Sequence, residues 1–496
     1  ATSDLLPRDL RLLLIGATGL DPGSVDTRLP NATSLPNGPY FLSPSIPYNA
    51  YAASPVHRFY QMFQQMDCDA SYATASNPSG CLNDLFPWVE VTIGAGTNGG
   101  PLPSGKVTPS GEGSVAMGIY NVAQGDMQYF KMLSDQYTIS DNYHQPAKGG
   151  TGLDSIFAGF GDAIYYTDGK GTATTPPQGQ VENPNPQPGT NNVYTNDGYG
   201  NATTGNGGSY SNCADPSQPG VKPILDYLAA LPDKPNPNCE PGHYYLLNNY
   251  NPGYLSDGTL DTSMFTIPPV NTPSIGDVLL AHAVSFAWFG EGWNQSVAEP
   301  NNPDNVYCNI CNPFNYQSQF MADPKLRNVA SQDTSDFYND IHAGTLPAVS
   351  FVKPSGVNDG HPASSRFDIF EAFTKKLLTE LRQEPDLWKS TAVLITVDEG
   401  GGYWDSGYIQ QLDFFGDGTR IPLIVVSPYS TGGHVNHTYT DHVSILKFIE
   451  KNWGLPTISK RSRDNLPNPQ QDPGSYAPTN RPAIGDLMDI FDFSHS

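Results

Sequence analysis

Seven consecutive uncharged residues, Thr391-Ala-Val-Leu-Ile-Thr-Val397, run directly into Asp398, Glu399 and three glycines. A continuous apolar, β-branched run of this length suits a strand covered on both faces, whereas a strand with one wet face alternates. The surrounding pattern agrees. Leu346-Pro-Ala-Val-Ser-Phe-Val352 reads as a strand. From Ser364 onward Phe367, Phe370, Phe373, Leu377 and Leu381 recur at three- and four-residue steps, as on one helix face. Ile421-Pro-Leu-Ile-Val-Val-Ser427 reads as another buried strand, and Thr440 or Asp441 can cap a helix carrying Val443, Leu446, Ile449 and Trp453. Strand, helix, strand, strand, helix is the rhythm of a layered α/β fold with a largely parallel sheet.

The remainder of the 496 residues, with 49 glycines and 46 prolines, describes long turn-rich connections around such a core. Residues 167–222, dominated by Gly, Pro, Asn, Thr and Ser, read as an inserted loop or lid rather than a core element. Residues 296–318 and 455–481 are loop-like in the same way. The formal charge of −24 repels nucleic-acid phosphates and excludes that class of partner; an anionic substrate calls for a metal ion or an acidic medium. No stretch reaches the roughly 18 apolar residues of a membrane span. The six cysteines, an even count in a lysine-poor chain, suggest disulfides and a secreted or periplasmic setting. Pairing of neighbours in sequence gives Cys68–Cys81, Cys213–Cys239 and Cys308–Cys311, one of the connectivities open to six cysteines.

Ligands of α/β sheets collect at the carboxyl ends of strands. Asp398 and Glu399 end the buried run there, and the glycines after them let backbone or ligand approach closely. Two adjacent carboxylates in that place bind a cation, take part in proton transfer, or sit in a solvated turn. Thr151 lies in Lys148-Gly-Gly-Thr-Gly-Leu-Asp-Ser-Ile-Phe157, after the strand-like Tyr137-Thr-Ile-Ser140. A hydroxyl between glycines at a helix start is either a cap or a group presented to a phosphoryl oxygen by the backbone N–H groups. Ser155 is the next hydroxyl along. His361, in Asn358-Asp-Gly-His-Pro362, His144, seven residues before Thr151, His57, in Val56-His-Arg-Phe-Tyr60, and His442 are the histidines with suggestive neighbours, each also compatible with a purely structural hydrogen bond.

With these blocks in view the chain resembles the bacterial phosphoesterase family that joins phospholipases C with acid phosphatases. The resemblance is carried by MGIYN at 117–121, QYTISDNYHQPAKGGTG at 136–152, NNYNPGY at 248–254 and LPAVSFVKPSGVNDGHP at 346–362. It continues through VDEGGGYWD at 397–405, the block at 420–455 and RSRDNLP at 461–467. It implies one alkaline-phosphatase-like domain over residues 1–496, a three-layer α/β sandwich with a mostly parallel central sheet. It implies Thr151 as nucleophile and metal-facing hydroxyl, and Asp398 and Glu399 as ligands of one divalent metal ion. It implies His361, with His144 and His57 as weaker candidates, as the histidines acting on the substrate.

Two departures stand out. Ser406 occupies a position where many relatives have histidine, and the Glu-Asn-x-Ser-Phe-Asp block that supplies two further metal ligands in relatives is missing from residues 1–496. The strand carrying that block is then expected to be replaced. The replacement is a clipped N-terminal segment that stays bound, a swapped segment, or Arg11-Leu-Leu-Leu-Ile-Gly16 of this chain. The expected activity is a secreted, metal-dependent phosphomonoesterase of acid-phosphatase type. The alternatives are a phospholipase C acting on a phospholipid head group, with an aromatic cage for its cation, and an inactive binding protein.

Overall fold

The computed structural model describes Arg28, residues 39–86 apart from 44, Val89, and residues 115–494 apart from 185–207, 264 and 473. Residues 11–16 and the middle of the expected insertion lie outside the described residues. No helix among those described is long and apolar enough to cross a membrane.

The elements that position the site are, in chain order, helix α1 (Phe59–Met66), α2 (Gln128–Gln136), strand β1 (Thr138–Ser140), α3 (Thr151–Phe160), β2 (Phe286–Gly290), β3 (Ser331–Gln332), α4 (Thr334–Ala343), β4 (Val349–Lys353), α5 (Phe367–Gln383), β5 (Val393–Thr396), β6 (Leu423–Val426), β7 (Val435–Asn436) and α6 (His442–Trp453). Asp441 caps α6: its carboxylate accepts from the Ser444 N–H at 3.1 Å, and the Ser444 hydroxyl accepts from the Asp441 N–H at 3.1 Å. Gly161 closes α3 in the left-handed conformation at φ 62°.

The fold is mixed α/β with several small sheets. One sheet has the order β3-β2-β4 and is parallel throughout. The other has the order β5-β6-β1-β7, in which β6 runs antiparallel to both neighbours and β7 runs parallel to β1. The largely parallel arrangement read from the sequence therefore holds for the first sheet and not for the second. The cause is local: the connection from β5 to β6 has no helix to carry the chain back, so β6 returns in the opposite direction.

Both sheets share their helices. Leu133 of α2, Phe337 and Ile341 of α4, and Leu377, Leu378 and Leu381 of α5 form one apolar cluster with Ala287 and Phe289 of β2, Ile395 of β5 and Ile424 and Val426 of β6. The alternate residues of the strands point to the opposite side. There Phe286 and Trp288 join Leu153 and Phe157 of α3 and Leu446 and Ile449 of α6, while Leu423 and Val425 meet Phe448. Each fully buried leucine in these layers contributes about 1.5–3 kcal/mol.

Helix α5 leads from β4 to β5, yet these two strands, each ending its own sheet, are not hydrogen-bonded to one another among the described residues. β2 and β6 are buried along their whole length. β4 and β5 are mostly half-exposed, contrary to the burial on both faces read from 391–397.

Three disulfides, Cys68–Cys81, Cys213–Cys239 and Cys308–Cys311, join the cysteines as neighbours in sequence. Mass spectrometry of the unreduced protein after alkylation is expected to find no modified cysteine; six modified cysteines would overturn the pairing.

Candidate active site

The chain turns sharply at the end of β5. Asp398 is half-buried and Glu399 is buried. The turn is held from behind by His442 at the start of α6, whose Nε2–H donates to the Asp398 carbonyl at 2.8 Å while Nδ1 accepts from the Tyr143 hydroxyl at 2.6 Å. Burial brings the His442 pKa down to about 4, so the ring stays neutral and keeps this donor–acceptor pattern. Gln145 Oε1 accepts from the Gly400 N–H at 2.9 Å. Gly402 sits at φ 75°, and a methyl group there would lie 2.5 Å from the Val56 carbonyl oxygen. Only glycine lets this turn pass so close to the segment that carries His57.

That passage brings His57 to the acidic pair. Nε2 of His57 is 3.5 Å from Glu399 Oε1, and Nδ1–H donates to the Pro55 carbonyl at 2.7 Å. Burial first, then the charges of Arg58 and His361, holds the His57 pKa well below its usual value. The ring is neutral, with its Nε2 lone pair facing Glu399. His361 has Nδ1 engaged by the Pro362 carbonyl at 2.6 Å and near the Ser364 hydroxyl at 3.1 Å, which leaves Nε2 for the site. His57, His361 and Glu399 each offer a ligand atom, all within 4.8 Å of one another. Asp398 stands outside that close group, although its charge is felt by Glu399. Burial first, then Asp398, pushes Glu399 up to about 8, against the Gly401 N–H and Arg58. A buried carboxylate crowded by a second carboxylate, beside imidazoles oriented by backbone carbonyls, is the donor set a divalent cation stabilises.

Thr151 is buried and is the first residue of α3, with Gly150 as its N-cap. Two neighbours tie it to the acidic turn. Asp154, one turn along α3, feels Glu399 and Asp398 strongly enough that they add to the rise in its pKa caused by burial. Arg58, which lowers Glu399, has Nη1 3.1 Å from where a methyl on Gly150 would lie. The loop leading to Thr151 is anchored from below. The Lys148 ammonium donates to Gln411 Oε1 and to the Asp417 carbonyl at 2.8 Å each, and Arg463 pairs with Asp413 at 2.5 Å and Asp417 at 3.3 Å.

The structure does not bring His144 into this group. Its ring is buried and stacked on Tyr439, with Nδ1 engaged by the Gly418 carbonyl at 3.0 Å and Nε2 by Asn142 Oδ1 at 3.1 Å. Ser155 is buried on α3. Ser406 follows Asp405, whose carboxylate is taken by Arg420 at 2.7 Å. His57 and Arg58 carry more of the geometry than their sequence context suggested, and Asn249 was not singled out. The one signal for it was its place in the NNYNPGY block.

A family model described as the Phosphoesterase family matches residues 45–456. The chain belongs to that family. Among similar proteins, the hemolytic phospholipase C of Pseudomonas aeruginosa is 22% identical over 76% of this chain and 43% of its own length. The non-hemolytic phospholipase C of Burkholderia pseudomallei is 28% identical over 41% of this chain and 32% of its own. A probable acid phosphatase of Kluyveromyces lactis is 27% identical over 45% of this chain and 52% of its own. The chain thus spans less than two thirds of each of these relatives.

Proposed function

We propose that this phosphoesterase-family chain is a secreted, metal-dependent phosphoester hydrolase of acid-phosphatase type, with Thr151 as nucleophile. The observation that carries the reading is the Glu399 carboxylate, buried at a strand end between Asp398 and the free face of His57 and linked through Arg58 and Asp154 to the start of α3. Relatives named as phospholipases C and acid phosphatases support the chemistry, and three disulfides support the compartment. Helices on both faces of the two sheets support an alkaline-phosphatase-like sandwich as the parent architecture.

The residues that would hold one divalent ion are Asp398, Glu399 and the Thr151 hydroxyl, with His57 and His361 beside Glu399. When bound, such an ion lowers the pKa of the hydroxyl and neutralises a nonbridging phosphoryl oxygen. The Thr151 hydroxyl gives its proton to the Nε2 lone pair of His57 as Oγ1 attacks phosphorus, a new O–P bond forms, and the bond to the leaving oxygen breaks. The His361 Nε2 position supplies the proton that the leaving oxygen takes and regains one from the water that then cleaves the phosphothreonine, while His57 returns its proton to Oγ1, releasing phosphate and restoring the hydroxyl. Arg58 offsets negative charge on the transferring group. The same site can take a phosphomonoester or a phosphodiester head group. The extended segment carrying the remaining ligands is proposed to lie beside the edges of β4 and β5 that no strand pairs among the described residues.

The test is metal analysis beside turnover of para-nitrophenyl phosphate and para-nitrophenylphosphorylcholine. Asp398→Asn and Glu399→Gln are each expected to lower metal affinity by about 10–100-fold, with activity falling in step. Unchanged metal in both variants would overturn the assignment. Faster turnover of the choline ester would move the reading to phospholipase C.

A further inference from the structure

We propose that Lys353 and Asp359 are positioning residues for His361, holding its ring beside the leaving oxygen of the phosphoryl group that Thr151 attacks. The inference rests on the reading of His361 as proton donor to that oxygen and adds the pair that fixes it. The Lys353 ammonium donates to Asp359 Oδ2 at 2.7 Å, and Asp359 Oδ1 accepts from the His361 N–H at 3.0 Å. Both side chains are mostly buried, at 20% and 13% exposure. The two oxygens of one carboxylate thus link a strand end to the backbone of the histidine.

Lys353 is the last residue of β4 and lies opposite Gly290 of β2, so the sheet fixes its backbone. The seven residues from Pro354 to Gly360 belong to no strand or helix. They are pinned from the neighbouring strand: the Glu291 N–H donates to the Lys353 carbonyl at 3.0 Å, and the Glu291 carboxylate accepts from the Ser355 N–H at 2.8 Å and the Asn358 amide at 2.9 Å. Gly360, at φ 84°, turns the chain back between Asp359 and His361. The ring is then aimed by the Pro362 carbonyl and Ser364 hydroxyl at Nδ1, which leaves Nε2 within 4.8 Å of ligand atoms of His57 and Glu399. A local turn at 359 needs only one acceptor oxygen, and asparagine supplies that as well as aspartate does. The second oxygen and a lysine brought from β4 are the surplus over that turn. A partly buried ion pair adds little net stability once desolvation is counted, so its service here is geometry.

A purely structural staple would lower turnover of every ester alike. A misaligned proton donor costs most where the leaving oxygen needs a proton, and para-nitrophenolate needs one far less than phenolate does. Asp359→Asn keeps an acceptor for the His361 N–H and gives up the pairing with Lys353. In the metal-loaded protein its kcat/KM for phenyl phosphate is expected to fall by about 10–100-fold, against at most about threefold for para-nitrophenyl phosphate, with metal content and Tm near parental. Lys353→Met, which leaves the carboxylate in place, is expected to show the same unequal loss, and it decides alone if Asp359→Asn does not fold. Equal loss on the two esters, or none, in either folded variant would overturn the inference. His361→Gln tests the reading beneath it. If His361→Gln alone shows the unequal loss, His361 stands as donor and only the positioning role falls. Equal loss on both esters in His361→Gln removes the donor and this inference with it.

Discussion

Thr151→Ala is expected to lower kcat for para-nitrophenyl phosphate by on the order of 10⁴-fold or more, equivalent to roughly 5 kcal/mol of barrier, without loss of the folded state. The proposed covalent route needs the hydroxyl oxygen; in that reading His57 and His361 accept or deliver protons and Arg58 offsets charge, and none of them offers an oxygen to attack with. The fold should tolerate the change. Thr151 opens α3, where alanine is a good helix former, and among the described residues its hydroxyl has no hydrogen-bond partner to lose. Steady-state kinetics and a thermal melt on the same preparation check both halves. Near-parental turnover would remove Thr151 from the reaction and make Ser155 the next hydroxyl to test.

Arg463→Met is expected to destabilise the fold by about 3–5 kcal/mol, the largest effect on stability among the residues near the site. The Arg463 guanidinium is 3% exposed and pairs with Asp413 and Asp417 while donating to the carbonyls of Pro146 and Gly416. Asp441 lies 3.9 Å away, and burial first, then Asp441, already raises Asp417 well above the usual carboxylate range. Removing the cation strands these carboxylates in a closed interior. Lys148, whose charge also acts on Asp417, is brought down to about 7 by burial and donates to Gln411 and the Asp417 carbonyl, so it does not replace the guanidinium. Urea unfolding of the purified variant measures the change, and a loss below about 1 kcal/mol would place the pair among weakly contributing ions. Because Pro146 lies on the loop that leads to Thr151, turnover is expected to fall with stability.

The strands and helices of the last third were legible because their signals are local. A run such as Leu423-Ile-Val-Val426 says that a strand is covered, and the spacing of Leu377 and Leu381 says which face of α5 is inside. Direction was not legible. Nothing within 421–427 distinguishes a strand returning antiparallel, since that follows from the missing helix between β5 and β6. The half-exposure of β5 was equally hidden, because covering depends on what stands beside a strand and not only on its own side chains.

The site divides in the same way. Asp398 and Glu399 announce themselves at the end of an apolar run, and Thr151 between its glycines. His57 and His144 look alike as sequence, each beside aromatic and polar residues. Tertiary packing sets them apart: one faces Glu399, and the other is stacked on Tyr439 with both nitrogens occupied. Asn249 was marked in the sequence only by its place in the NNYNPGY block; its amide overlies Gly150 and Gly152, on a different segment, through tertiary packing.

Among the described residues β4 and β5 each end a sheet, which bears on the order in which this molecule could be assembled. Both strands contribute to one apolar cluster under α5, so any chain lying between them would be roofed by the helix that joins them. A segment added to either edge would join by backbone pairing. One that paired on both sides at once would have to arrive before the helices settle or wait for them to open. Its docking would then be a folding event. The partner would be gained and lost on the timescale of the core around it, and not on that of a surface encounter.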